Sequence, residues 1–391
     1  MFRLLEVKTL EIYLDNSSTT KPRQEVLAEI INQLENNYGN PSSIHRLGIN
    51  SEKVIKSARE IIASSLNVKP KEIIFTSGGT ESNNLALRGS ISANRRAGKH
   101  IISSDIEHDS VYKTLEDIGL KDGYEITFLK PNNQGIITLE QIIDSIRTDT
   151  VLVSLMHVNN ELGSINPIFE IGKYLKSLDK NIIFHVDAVQ SYMKLDINCD
   201  YIDLLSISGH KIHTPKGIGA LYISEKIKFS SMLTGGGQEM GYRSGTENVI
   251  YIAALEKAVL IQKNKIHDDI TKVSIVRNDF LNRLQLEIKD ININSSKDSL
   301  PYILNVSFLG VKGEILLHTL EQHNIFVSTG AACSSKKKGS RILESIGLNS
   351  ASKDSAIRFS FSKDTTSEEV NFTVDVLKTE IVKLRKILKY K

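Results

Sequence analysis

The sequence holds only two cysteines in 391 residues, Cys199 and Cys333. Two separated thiols cannot supply a CxxC-type zinc ligand set, and they rule out a disulfide-dense scaffold. Charge of one sign is also missing. Lys and Arg number 49 against 46 Asp and Glu, a net charge of +3, which is too weak a field to argue for nucleic acid or an anionic membrane as partner. Long apolar runs are absent. No stretch approaches the roughly 18 uninterrupted apolar residues of a membrane span. The opening MFRLLEVKTLEIYLDN is broken by charges and lacks the apolar core of a signal peptide. The compartment expected from these absences is the cytoplasm, where a disulfide is disfavoured. There is no internal repeat and no long low-complexity tract.

What is present is an ordinary globular composition, 40% hydrophobic and 24% charged, on a chain longer than one average domain and shorter than three. Short Ile- and Val-rich runs recur at 73–76, 100–103, 125–129, 151–156, 182–187, 202–206 and 218–223. Apolar on both faces, they predict buried strands. Amphipathic stretches lie between several of them, at 139–147 and 168–178. This alternation predicts an α/β domain with a mainly parallel sheet, whose functional residues gather at the carboxyl ends of the strands. After about residue 248 the pattern changes. A long charged helical stretch, 251–289, leads to fewer strands, at 303–307, 325–327 and 357–361, and a last helix at 367–388. The division expected is a large α/β domain over 20–260 and a smaller α+β domain made of 1–19 and 261–391, joined within a linking helix.

Several motifs sit where those strands end. SISGHKI places Ser208, His210 and Lys211 after the run at 202–206. A lysine in a crowded polar turn at a strand end is costly unless paired or used covalently, though on spacing alone a surface turn lysine is the readier reading. HVDAVQ ends a strand on Asp187, with Gln190 close behind. An acid there can pair with a protonated heterocyclic nitrogen, or simply cap a following helix. TSGGTESNNLAL runs from a strand through Gly78, Gly79 and Thr80 into a helix, a place suited to an anion. It fits neither the P-loop nor the dinucleotide spacing. Glu107-His108 and Asn159-Asn160 follow two more strands. His108 taken alone is more readily a hydrogen-bonded histidine than a catalyst.

Taken in this order, and together with YLDNSSTT, NNYGNPSSIH, GGGQEMGYRSGTEN, STGAACSS and IRFSFSKDTT, these motifs resemble over nearly the whole chain the class V aminotransferase-like enzymes of fold type I. These enzymes depend on pyridoxal 5'-phosphate (PLP). Within them the sequence is most similar to the group I cysteine desulfurases. The resemblance implies roles residue by residue. Lys211 would carry PLP covalently. Asp187 would pair with the ring nitrogen and Gln190 with the phenolate oxygen, and His108 would stack on the ring and shuttle protons. Gly79, Thr80, Ser208 and His210 would hold the phosphate. Thr246 would reach the phosphate of a second subunit, which implies a homodimer. Asn160 and Arg358 would hold the substrate carboxylate, a task suited to the guanidinium fork. Metal has no part in this scheme.

Cys333 then acquires a task. It lies in a polar, lysine-rich stretch, a setting that suits an exposed thiol of lowered pKa, and the resemblance implies that it accepts sulfur from L-cysteine as a persulfide. The small residues of GAAC before it resemble the group I pattern. Lys336–Lys338 after it depart from that pattern, and a solvated loop tip is a sufficient reading of them. Lys211 would take the substrate α-proton, the Cys333 thiolate would attack the substrate sulfur, and alanine would leave. Sulfur-acceptor proteins, whether an iron–sulfur scaffold or a thiolation enzyme, are the expected partners. Other PLP enzymes of this fold, such as transaminases and selenocysteine lyases, would share Lys211 and Asp187 but need no thiol at 333. A non-catalytic binding protein would be free to lose all three.

Overall fold

The computed structural model describes residues 11–329 and 340–390. The chain divides into two compact units. One comprises residues 18–160 and 164–268. The other comprises the N-terminal segment through Ser17, residues Glu161–Gly163, and the chain from Asp269 onward. Numbered along the chain, β1 (Ile12–Tyr13) belongs to the second of these. The first contains α1 (Gln24–Asn36), α2 (Arg46–Leu66), β2 (Ile73–Thr76), α3 (Gly79–Ala93), β3 (His100–Ser104), α4 (Asp109–Asp122), β4 (Glu125–Leu129) and α5 (Leu139–Ser145). It continues with β5 (Thr150–Met156), α6 (Ile168–Ser177), β6 (Ile183–Asp187), β7 (Leu204–Ser208), β8 (Gly219–Ile223) and α7 (Val249–Gln262).

Its seven strands lie in the order β2-β8-β7-β6-β5-β3-β4. From β7 to β4 every pairing is parallel, while β8 runs antiparallel to both its neighbours. The alternation within each strand explains why the runs read as apolar throughout. Ile73, Phe75, Phe184, Val186, Ala220 and Tyr222 join a core that includes α2, α6 and α7. Ile74, Ile183, Leu221 and Ile223 join the opposite core with α3 and α4. Each fully buried Ile, Leu or Phe contributes about 1.5–3 kcal/mol relative to exposure. That exceeds the roughly 1 kcal/mol spread of strand propensities, so the two covered faces fix these strands.

Three expectations need correction. The run at 125–129 is half-exposed rather than buried, because β4 is an edge of the sheet. The strand expected at 202–206 lies two residues later, at 204–208. A turn from Cys199 to Ile202 and the Asp203 carboxylate, which accepts the Phe184 N–H at 2.8 Å, occupy the residues before the ladder. Ser208 is therefore the last residue of β7. The helical stretch at 251–289 is two helices, α7 and α8 (Ile266–Glu287), broken where Lys263, Asn264 and Lys265 offer no apolar residue to either core.

The second unit carries most of α8, then β9 (Ile291–Ile293), β10 (Ile303–Phe308), α9 (Gly313–Glu321), β11 (Ile325–Phe326), α10 (Arg341–Ser345), α11 (Ser350–Asp354), β12 (Ala356–Ser360) and α12 (Ser367–Ile387). Antiparallel β12-β10-β9 form one sheet, and β1 pairs with β11. Phe280 of α8 meets Phe359 and Phe361 edge-on at 4.9 and 5.7 Å, as aromatic quadrupoles favour. Among the described residues no helix is long and apolar enough to cross a membrane.

Candidate active site

The first unit brings the ends of β2, β6 and β7 to one edge of its sheet. Thr76 and Ser208 both stand opposite Gly219 in register. Gly219 permits this crowding: a Cβ there would lie 2.8 Å from the Gly78 Cα. Gly78 itself has φ +150°, a region open to glycine. At Gly79 a Cβ would sit 2.8 Å from Val189 Cγ2 and 3.4 Å from Ser208 Cβ. Backbone, rather than side chain, thus faces Ser208 where α3 begins. The first amides of a helix have no intrahelical acceptor. Thr80 is exposed in the same first turn. The Ser208 hydroxyl is buried with no hydrogen-bond partner among the described residues, a state that costs about 1–3 kcal/mol unless a ligand relieves it. Glycine backbone, helix start and orphaned hydroxyl together could hold a phosphate.

The turn Gly209–Lys211 follows. The His210 carbonyl accepts from both the backbone and the hydroxyl of Thr20, at 2.9 Å each, and its Nδ1 lies 3.1 Å from Thr19 Oγ1. Burial first, and then the charge of Lys211, lower the His210 pKa to about 4. This favours the uncharged ring near neutral pH, whose N–H can donate to an anion. Lys211 is half-buried, with Nζ donating to the Ser18 carbonyl at 2.7 Å.

Asp187 ends β6 in the buried interior. Its Oδ2 accepts from Asn83 Nδ2 at 2.8 Å and its Oδ1 from the Val189 N–H at 2.9 Å. A carboxylate that only accepts suits a protonated ring nitrogen. No helix starts after it: residues 189–194 form turns, which removes the helix-cap reading. Asn83 also donates to Ser110 Oγ at 2.8 Å, and Ser110 Oγ lies 2.8 Å from His108 Nδ1. The Ser110 N–H donates to the same nitrogen at 3.1 Å, so His108 caps α4. With Nδ1 accepting, the neutral ring carries its proton on Nε2. One polar chain therefore joins Asp187 to His108. Glu107, by contrast, is structural: its Oε1 accepts from Ser104 Oγ at 2.6 Å and from the Met156 N–H at 3.0 Å, tying the ends of β3 and β5.

Two residues here were missed in the sequence. Asn83 had a signal, since it lies with Ala86, Leu87 and Ser90 on the buried stripe of α3, where a polar side chain needs a partner. Lys194 had none. It is buried, and burial first, followed by the positive charge of Lys211, lowers its pKa to about 7.

The other expected site residues are more dispersed. Gln190 is buried three residues past Asp187, Asn160 is half-buried after β5, and Thr246 is exposed before α7. Arg358 belongs to the second unit. It is buried in β12, with Nη2 donating to Asp15 Oδ1 at 2.8 Å. Cys333 and Lys336–Lys338 lie outside the described residues. Cys199 is buried, and burial pushes its thiol up to about 12, so it stays protonated and unreactive near neutral pH.

The donors and acceptors of the first unit fit PLP: a phosphate cradle at Gly79 and Ser208, an acid for the ring nitrogen, and a lysine on a strand-end turn. Comparison with known proteins agrees. Residues 12–372 match the family model for class-V aminotransferases. The cysteine desulfurase IscS of Dictyoglomus turgidum is 41% identical over 385 residues, covering 97% of each chain. That of Clostridium botulinum is 39% identical over 382 residues, covering 96% of this chain and 95% of the relative. The solved structure of a NifS-like protein superposes with a TM-score of 0.89 at 32% identity, over 98% of this chain and all of that one. The chain belongs to the class-V aminotransferase family, in its cysteine desulfurase branch.

Proposed function

We propose that this chain removes sulfur from L-cysteine with the aid of PLP, releasing L-alanine and keeping the sulfur as a persulfide on Cys333. The observation that carries the reading is the buried Asp187 carboxylate, held by Asn83 at the same sheet edge as Lys211 and the Gly79–Ser208 cradle. When bound, PLP supplies an electron sink conjugated to the substrate Cα. The remaining chemistry belongs to the protein. Gly79, Thr80, Ser208 and His210 hold the phosphate. Asp187 would keep the ring nitrogen protonated, Gln190 would serve the phenolate oxygen, and His108 would face the ring. By the resemblance, Asn160 and Arg358 would each serve the substrate carboxylate. Lys211 anchors the cofactor and, once released, takes the α-proton. The Cys333 thiolate then forms an S–S bond as the substrate C–S bond breaks. The electron pair passes to carbon, which gains a proton and leaves as alanine.

The expected outcome with PLP-loaded protein and L-cysteine is one alanine per sulfur transferred. With radiolabelled cysteine, the label should move from the chain to an acceptor, either an iron–sulfur scaffold or a thiolation enzyme. A protein that yields pyruvate or a transaminated acceptor, and no alanine, would overturn the reading.

Thr246 would complete the phosphate site of a second copy, which makes the working form a homodimer. Sedimentation of the PLP-loaded protein should give a dimer, with PLP binding weakened when Thr246 is changed to Ala. A fully active monomer contradicts the shared site.

A further inference from the structure

β2 is the edge of the sheet that leads into the phosphate cradle. Its outer side is closed by two side chains rather than a strand. Arg59 of α2 donates to the Ile73 carbonyl, and Glu239 Oε2 accepts the Phe75 N–H at 2.9 Å. A carbonyl and the amide two residues on point to the same side of a strand, so this pair takes the place of a missing neighbour. The two side chains also bind each other bidentately, Nη1 to Oε2 at 2.8 Å and Nη2 to Oε1 at 2.9 Å, with 13% and 2% of each exposed. The Arg59 guanidinium also lies 4.8 Å from the centre of the Phe75 ring.

Glu239 reaches inward from an otherwise exposed segment at some conformational cost. It and Met240 are successive non-glycine residues with φ of 48° and 57°, which persist only where the surroundings enforce them. Around them Gln238 Oε1 accepts the Gly245 N–H at 2.9 Å, and Ser244 Oγ accepts the Gly237 N–H at 3.3 Å. A second pair pins the segment further along. Arg243 Nε donates to Glu81 Oε1 at 2.7 Å, while Glu81 Oε2 accepts the Ser77 N–H at 2.8 Å. Both pairs thus grip the strand–turn–helix unit that carries Gly78, Gly79 and Thr80, one before the turn and one on it.

We propose that Arg59 and Glu239 are positioning residues for the cofactor phosphate: by closing the open edge of β2, and with Arg243–Glu81 bracing its far end, they set the backbone of the turn that receives the phosphate. This rests on the reading of Gly79 and Thr80 as phosphate-holding residues. The test compares PLP with pyridoxal, which lacks the phosphate, binding to the full-length chain stripped of cofactor. Glu239→Gln should weaken PLP about tenfold, the effect of misaligning hydrogen bonds to a charged group, and change pyridoxal by less than about twofold. Arg243→Ala breaks a half-exposed pair without threatening the fold. It should shift the PLP-to-pyridoxal ratio in the same direction by about threefold. Thr80→Val serves as the control for the phosphate reading. Equal weakening of both ligands by the two clamp variants would overturn the inference, because a support of the fold alone makes no distinction between them. So would an unchanged ratio in both clamp variants when Thr80→Val lowers it, and the phosphate reading would then stand. An unchanged ratio in Thr80→Val removes that reading and the inference with it. If Glu239→Gln does not fold, Arg243→Ala decides.

Discussion

Lys211→Ala is expected to lower alanine formation from L-cysteine by about a thousandfold or more, the range of a lost general base compounded by lost cofactor attachment. The lysine stands on the turn that follows β7, with Nζ on the Ser18 carbonyl, and the task proposed for it is chemical rather than packing. The variant should fold, accept PLP without covalent attachment, and lose the cofactor on dialysis. Peptide mapping of the parent after borohydride reduction should place the cofactor mass on the peptide holding Lys211. Lys194 makes this test discriminating. It is a buried amine whose pKa is lowered to about 7, first by burial and then by the charge of Lys211, so its neutral form is favoured more than in an ordinary lysine. Cofactor mass on Lys194, or a Lys211→Ala variant turning over at the parent rate, would transfer the role.

The second large effect concerns the two thiols. Cys333→Ser or Cys333→Ala should keep PLP and bind L-cysteine, yet lose most cysteine-dependent alanine formation, by about a hundredfold or more. Cys199→Ala should stay within about twofold of the parent. Its thiol is buried and held protonated by a pKa near 12, so replacement removes only a small packing contribution. A general folding defect would affect cofactor binding and turnover together. Loss of turnover with retained cofactor at one cysteine, and neither loss at the other, separates chemistry from stability. A Cys333→Ala variant with undiminished desulfuration would favour a lyase that needs no protein thiol.

Much of this arrangement was legible in the sequence, for physical reasons that also set its limits. Strands such as 73–76 and 183–187 announced themselves because both faces are covered, and their ends carried the turn residues. Strand direction left no such mark. Apolar periodicity reads the same in either sense, and β8 runs antiparallel between β2 and β7. The edge position of β4 was likewise invisible, since burial depends on neighbours the run does not name. In the site, single residues with distinctive chemistry were readable and their supports were not. Asp187 stood out; Asn83, which holds it, lies 104 residues away, and the Arg59–Glu239 pair spans 180. The three residues Glu161–Gly163, which belong with the second unit while their flanks belong to the first, have no compositional signature.

The central claim is that sulfur from the substrate comes to rest on Cys333. Mass spectrometry of the PLP-loaded protein after brief incubation with L-cysteine, followed by peptide mapping without reductant, measures this directly. The peptide holding Cys333 should gain about 32 Da, the mass of one persulfide sulfur on a reactive thiolate, and the peptide holding Cys199 should be unchanged. Added sulfur on Cys199, or none on either cysteine while alanine accumulates, would contradict the account.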